Sequence, residues 1–497
     1  MSVTIPRLDT PADPPARGRP GPEAIRPATG AVEPDRDLSG LVYRVAEPPL
    51  TGADAEALAA VRRALPRILR PLPPGATERE RTSALVGAIS EFLRLHRPAL
   101  DARAAERIAY YPLRDALGYG PIDRLLLDEE IEDISCDGVG VPVFVHHARW
   151  EALRTNVVFE DETELQGFVV RLAQRCGRSV SVARPLLDGT TPEGHRIQAT
   201  YGRTVSARGP TFTIRRFRSR PWTPLDLLRA GTLDPPMAAY LWMAAEEGDS
   251  LLVCGGPGAG KTSTLNALAL FVPAGARIVS IEDTRELNLP HPNWIPATTR
   301  TAHAVLDDPA GRAGEIDMHD LVTSAMRQRP THLFVGEVRG REASAMFQAM
   351  NTGHVTWSTF HADTVRAMVT RLESPPLEVA RALFGALRLV VIESLLRTPG
   401  GPRRRITEIV EIRGIDPETE ELALSPVFSW DPENDSFAFV GRASLFERIA
   451  ERRGVAGDRV RAEWTRRSES LRARADGPSI SAEEFWRWAS AVGAGPP

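Results

Sequence analysis

The sequence has almost no lysine. Of its 61 basic residues, 60 are arginine and one, Lys261, is lysine. A drift towards arginine empties every position where a planar guanidinium serves as well as an ammonium. A position that keeps lysine needs a compact point charge. Cysteine is nearly as scarce. Cys136, Cys176 and Cys254 stand singly, with no CxxC pair, which excludes a disulfide framework and a four-cysteine zinc module and fits a reducing compartment. Charge of one sign is not in excess. The formal net charge is −4 at pH 7 and aromatic residues make up 6%, so no global field favours nucleic acid or an anionic membrane. Long apolar runs are missing too. None approaches the ~20 residues that span a bilayer. The nearest, Ala386 to Leu396, carries Arg388 and Glu393, and Met1 to Arg19 lack the apolar core of a signal peptide. Membrane association is therefore expected to run through a partner.

What is present is ordinary for a globular protein: 42% hydrophobic and 25% charged residues in a chain of 497, enough for two to four domains. Ten prolines fall within the first 50 residues, too many for helix or sheet interiors, so residues 1–45 read as a disordered tail. Residues 46–220 read as helices followed by mixed α/β structure. Helical spacing runs from Ala55 to Leu69 and from Ser83 to Leu95, and again from Thr163 to Cys176. Strand-like stretches surround Ile134, Val141–His146, Trp150–Val158, Arg196–Thr200 and Thr211–Phe217, with His146 and His147 taken as a surface pair. Arg218 to Pro224 reads as a linker.

Residues 225–402 alternate strands with helices. Ser250–Cys254, Arg277–Glu282 and His332–Glu337 are apolar runs suited to buried parallel strands, the last two ending in an acid. The expected fold class is α/β: a RecA-like core with a parallel sheet and chemistry at the strand C-termini, preceded by the mixed α/β domain. Residues 403–497 are expected as a small α+β extension, with strands over Ile406–Ile415 and Glu421–Trp430 and helices near Ser444–Arg453, Arg459–Arg472 and Ala482–Ala491.

The chemistry concentrates around the lone lysine. Gly255-Gly256-Pro257-Gly258-Ala259-Gly260-Lys261-Thr262-Ser263 follows the first of these strands and opens a helix. Glycines there let backbone amides turn inward onto phosphates, and the helix N-terminus adds its positive end. Lys261 reaches the β- and γ-phosphates of ATP and the Thr262 hydroxyl ligates Mg²⁺. Glu282 ends the second strand, where a carboxylate can polarise a water against the γ-phosphate; the competing reading has Asp283 capping a following helix. Glu337 ends the third strand, where such enzymes order Mg²⁺. His354 and His361 are each able to hydrogen-bond a phosphate oxygen, or to sit in the core satisfied by backbone; metal ligation is a third reading.

In this order the motifs resemble the type II/type IV secretion ATPase superfamily, in its archaeal or Tad-type branch of pilus, archaellum and secretion motors. Carrying the resemblance are Gly118-Tyr119-Gly120-Pro121-Ile122-Asp123, Asp188-Gly189 to Arg196, Ile214-Arg215-Arg216-Phe217, the phosphate loop, Ile281 to Leu287, Val335-Gly336-Glu337-Val338-Arg339-Gly340 and Ser358-Thr359-Phe360-His361-Ala362. The resemblance implies Glu282 as general base, Glu337 as the Mg²⁺-ordering acid and His361 as γ-phosphate sensor. It implies that Arg196, Arg208, Arg215 and Arg216 face nucleotide. It further implies a cytoplasmic homohexamer that works through a polytopic membrane platform protein on a pilin or secreted substrate. Conjugation-type secretion is the alternative within the family, and a nucleic-acid motor is the rival outside it.

Overall fold

The structure is a computed structural model and describes residues 29–34, 40–73, 75–218, 220–300, 314–398, 401–416, 418–419 and 421–493. The chain divides into two compact units, Met1–Phe217 and Arg218–Pro497.

The first unit runs β1 (Thr29–Pro34), β2 (Leu41–Ala46), α1 (Gly52–Ile68), α2 (Glu78–His96), α3 (Ala102–Ala116), α4 (Asp123–Leu127), β3 (Ile131–Cys136), β4 (Pro142–His147), β5 (Glu151–Val158), α5 (Glu162–Arg175), β6 (Leu186–Thr190), β7 (Arg196–Thr200) and β8 (Thr211–Arg215). The strands form one sheet in the order β1-β2-β5-β4-β3-β8-β7-β6. Reciprocal capping boxes open α1 (Thr51 with Asp54) and α2 (Thr77 with Glu80), each satisfying two amides the helix leaves unpaired.

Two expectations fail in this unit. The tail expected over residues 1–45 contains the β1–β2 pair, in register from Thr29↔Ala46 to Pro34↔Leu41. The dense prolines masked a short alternation in which Val32 and Tyr43 are buried, and the Tyr43 hydroxyl donates to Asp128 at 2.6 Å. The rest of that tail, residues 1–28 and 35–39, lies outside the described residues. His146 and His147 are not a surface pair. Successive strand residues face opposite sides, so His147 is fully buried with Nε2 3.2 Å from Glu130, while His146 remains exposed.

The second unit continues with α6 (Pro224–Arg229), α7 (Pro235–Glu247), β9 (Leu251–Gly255), α8 (Lys261–Ala269), β10 (Ile278–Glu282), β11 (Trp294–Thr298), α9 (Met318–Met326), β12 (His332–Val335), α10 (Glu342–Asn351), β13 (Val355–Phe360), α11 (Val365–Glu373), β14 (Leu389–Thr398), β15 (Gly401–Ile415), β16 (Leu422–Asp431), β17 (Ser436–Phe439), α12 (Ser444–Arg453), α13 (Gly457–Ala475) and α14 (Ala482–Gly493). Its sheet has the order β11-β10-β12-β13-β9-β14-β15-β16-β17. Pairing is parallel from β11 through β14, the RecA-like core, and antiparallel from β14 to β17.

Both faces of the parallel part are covered. Leu251 and Val253 join one apolar cluster, while Leu252 and Cys254 join the other. The segment after residue 402 is built onto this core. β14 and β15 form a long hairpin closing between Thr398 and Gly401, and the first cluster runs on into Leu445, Ile449, Leu471 and Phe485. The Trp464 indole donates to the Pro236 carbonyl at 2.8 Å, joining α13 to the start of α7. No helix among the described residues is long and apolar enough to cross a membrane. Most of the apolar run 386–396 is instead part of the strand β14, which is buried from Leu389 to Glu393 between β9 and β15.

Candidate active site

β9 is buried at every residue and delivers the glycine loop at its C-terminal end. Gly258 and Gly260 take φ of +70° and +110°, values that side-chain-bearing residues adopt only under strain. Gly260 is the N-cap of α8 and offers no side chain to it, so the first amides of that helix are left for an anion. Lys261 is the first residue of α8 and is buried. Its ammonium donates to the Gly256 carbonyl at 2.9 Å and lies 3.3 Å from His361 Nδ1. Burial lowers its pKa, with nearby Glu337 and Glu393 opposing the shift. Thr262 is half-buried and Ser263 exposed in the same turn.

Glu337 and His361 close the site from the neighbouring strands. His361 Nε2 lies 2.7 Å from one oxygen of Glu337, and the Arg339 guanidinium holds the other. The turn bearing them is fixed from beneath. Glu342 accepts from the amides of Arg339 and Gly340 at 2.6 and 2.7 Å, and Thr359 donates to the Gly336 carbonyl at 2.6 Å. Burial, then the Lys261 charge, lowers the His361 pKa against the pull of Glu337, so the imidazole is neutral at neutral pH. Lys261, His361 and Glu337 thus form one continuous polar chain. His354 is not part of it. It sits before β13, at the opposite end of that strand, with Nδ1 3.2 Å from the Ala349 carbonyl.

Glu282 ends β10 and is almost fully buried, which pushes its carboxyl up to about 7. Its Oε1 accepts from the amides of Glu286 and Leu287, each at 2.9 Å, while Oε2 is buried with no hydrogen-bond partner among the described residues. No helix follows here, so the helix cap considered for Asp283 has nothing to cap. Glu282 itself satisfies the turn. A Cβ on Gly336 would stand 3.0 Å from Glu282 Cγ, so glycine before Glu337 lets the two strand ends approach.

The four arginines lie in the first unit. Arg196 and Arg215 are partners across β7–β8. Arg196 reaches Asp188 at 3.4 Å and exposed Arg215 reaches Asp133 at 3.3 Å. Arg216 donates to the carbonyls of Ile131 at 2.9 Å and Leu126 at 3.4 Å, a structural tie within its own unit. Arg208 is exposed in the turn before β8.

Further residues also meet the loop. A Cβ on Gly256 would be 3.2 Å from Asp363 Oδ1. Glu393 of β14 is buried, accepts from the Thr264 hydroxyl at 3.1 Å, and would stand 2.6 Å from a Cβ on Gly260. Arg404 of β15 donates from Nε to the Gly258 carbonyl at 2.9 Å. Asp363 follows His361 by two residues, whereas Glu393 and Arg404 come from strands outside the motifs, and only the sheet order brings them here.

Burial pushes the Glu393 carboxyl from 4.5 up to about 8. Between those values the native chain keeps a proton that the unfolded chain has released. Stability therefore falls as pH rises, by up to ~1.4 kcal/mol per unit. Glu393→Gln, neutral throughout, is expected to gain in melting temperature over the wild type as pH goes from about 6 to about 8. A difference that stays constant with pH would show that Glu393 is ionised.

No cluster of three or more His, Cys, Asp or Glu among the described residues forms a metal cage. A divalent ion here would share its oxygens with nucleotide phosphates. The residues fit that arrangement, with the Thr262 hydroxyl and the Glu337 carboxylate as oxygen donors for the ion and the loop amides and Lys261 as donors to the phosphates.

Residues 115–415, more than half of the chain, match the family described as type II/IV secretion system protein. A protein of Methanocaldococcus jannaschii is 37% identical over 359 residues, covering 71% of this chain and 63% of that relative's length. The type IV secretion system protein PtlH of Bordetella pertussis is 31% identical over 278 residues, 49% of this chain and 80% of its own. The Legionella pneumophila ATPase DotB superposes with a TM-score of 0.42 at 15% identity, over 75% of this chain and 95% of that one. With its RecA-like sheet, its phosphate loop and the acids and histidine that close on it, the chain belongs to the type II/IV secretion system protein family.

Proposed function

We propose that this chain hydrolyses Mg·ATP and uses the change in its nucleotide site to drive a secretion or pilus-type machine. The observation that carries the reading is the polar chain from Lys261 through His361 to Glu337 at the mouth of the phosphate loop. Lys261 and the loop amides bind the β- and γ-phosphates. Thr262 and Glu337 would hold Mg²⁺, which supplies neutralisation of phosphate charge. Glu282 takes the proton of the attacking water as its oxygen bonds to the γ-phosphorus and the bond to ADP breaks. His361, neutral and in contact with Lys261, reports the loss of the γ-phosphate to Glu337 and Arg339.

Hydrolysis moves a partner only if a second body responds to the γ-phosphate. Arg196, Arg208, Arg215 and Arg216 of the first unit are the groups proposed to respond, within a homohexameric ring in the cytoplasm. The ring would act through a polytopic membrane platform protein on a pilin or secreted substrate, with no nucleic acid as substrate. Conjugation-type secretion is the closest variant, and the type IV secretion name carried by PtlH supports it. Exposed Arg215 is the sharper arginine to test, because Arg216 already serves backbone carbonyls. Arg215→Ala is expected to bind ATP normally and to lower turnover by at least ~10-fold, the four arginines sharing a task that a single one can dominate elsewhere. ATPase rates beside sedimentation with an ATP analogue read this out. Wild-type turnover in Arg215→Ala would leave it as a surface ion pair contributing ~0–1 kcal/mol.

A further inference from the structure

The β14–β15 hairpin leans against the back of the phosphate loop, and the proposed reaction makes no use of it. The Arg404 Nε–H holds the Gly258 carbonyl at 2.9 Å. Its Cδ would stand 3.0 Å from a Cβ on Gly260, on the same side as Glu393 Oε1 at 2.6 Å, and Leu395 Cδ2 lies 3.8 Å from the Cβ position of Gly258. Carbonyl and amide of one trans peptide point in opposite directions. With the Gly258 carbonyl drawn out towards β15, the following amide, that of Ala259, turns into the loop. There it donates a long hydrogen bond of 3.4 Å to the Gly256 carbonyl, the same oxygen that receives Lys261, a bond that an arriving phosphate oxygen would replace. Glu393 completes the support by holding Thr264, one turn into α8, at 3.1 Å. A glycine loop is free to adopt many backbone states, and each inward amide must be ordered before it binds an anion.

We propose that Arg404 is a positioning residue for nucleotide, which sets the Gly258–Ala259 peptide so that its amide faces the phosphates, with Glu393 as the packed support beside it. This rests on the reading of the loop as a nucleotide site. The arrangement ties the loop to β15, the strand whose far end carries Glu411. That carboxylate accepts from the amides of Ser444 and Leu445 at the start of α12, at 2.8 Å each. The phosphate loop and the C-terminal helices are thus connected through one strand.

The role of Arg404 is to donate from Nε, not to bring charge to phosphate, and glutamine separates the two. Its amide nitrogen stands at the same place along the side chain as Nε, without the charge. The test measures binding of a slowly hydrolysed ATP analogue with Mg²⁺, steady-state ATPase, and nucleotide-free melting temperature, for Arg404→Ala, Arg404→Gln and Lys261→Ala. Arg404→Ala is expected to raise the analogue Kd and the KM about tenfold with kcat at saturation and melting temperature near wild type, and Arg404→Gln to restore most of the affinity. Wild-type affinity in Arg404→Ala, or equal loss in Ala and Gln, overturns the positioning role; the second outcome would make Arg404 a direct charge contact. A kcat that falls with KM, together with a lowered melting temperature, would also overturn it, marking Arg404 as general scaffold. Failure of the underlying reading shows separately, as retained binding in Lys261→Ala.

Discussion

Lys261→Ala is expected to lower ATP turnover by at least ~10³-fold, because the charge it removes meets the phosphate oxygens as the γ-phosphoryl is transferred. The fold should survive. Lys261 makes one hydrogen bond to the Gly256 carbonyl and stands beside His361, and neither contact ties elements of the core together. Nucleotide-free melting should therefore stay near wild type. Lys261→Arg is the more informative change, since the chain uses arginine at every other basic position. The ammonium sits 2.9 Å from one loop carbonyl and 3.3 Å from an imidazole nitrogen. A planar guanidinium carries more atoms and fixed donor directions, so it displaces His361 or the loop rather than fitting between them. Phosphate release measured beside analogue binding should show both variants inactive. Near-normal turnover in Lys261→Arg would mean that the surviving lysine is an accident of composition.

The second large effect is at Glu282. Glu282→Gln is expected to keep nucleotide binding and to lower kcat by ~10²–10⁴-fold, the usual contribution of a general base. Glutamine retains a carbonyl oxygen for the amides of Glu286 and Leu287, so the turn after β10 persists and the loss is of basicity alone. The sign of the pH dependence follows from burial. With the carboxyl pushed up to about 7, the basic form is scarce in acid and dominant above neutrality. The wild-type rate should therefore climb as pH rises through about 7, and the residual rate of Glu282→Gln should lack that step. A variant with wild-type turnover and a lowered melting temperature would reduce Glu282 to the cap of its turn.

Elements governed by local pattern were legible in the sequence. The strand at Arg196–Thr200 and the helix at Ser444–Arg453 carry the bounds that alternation and helical spacing gave them. The glycine loop was legible because its turn chemistry lies in one short contiguous segment. Glu282 and Glu337 stood out because each lies at or just past the C-terminal end of a buried apolar run, and Lys261 because it is the one lysine of the chain. What escaped depends on which strands become neighbours. Glu393 looks like an interruption of an apolar stretch, and Arg404 like one of three consecutive surface arginines, until β14 is placed beside β9 and β15 beside β14. Then both face the loop, and the run that resembled a weak membrane segment is the strand holding its back. His147 was misplaced because a pair of adjacent histidines was read as one feature, although a strand sends its residues to opposite faces. β1 and β2 were hidden by prolines on either side of two short alternating stretches.

If the chain turns over ATP at this loop, and does so as an assembly, its rate depends on both Mg²⁺ and protein concentration. The most direct measurement is phosphate release from ATP by the wild-type chain across a protein dilution series, with Mg²⁺ and with the ion chelated. Release is expected to require Mg²⁺, with a specific rate that rises with protein concentration as rings form. No release at any concentration, or a rate indifferent to both Mg²⁺ and dilution, would contradict it.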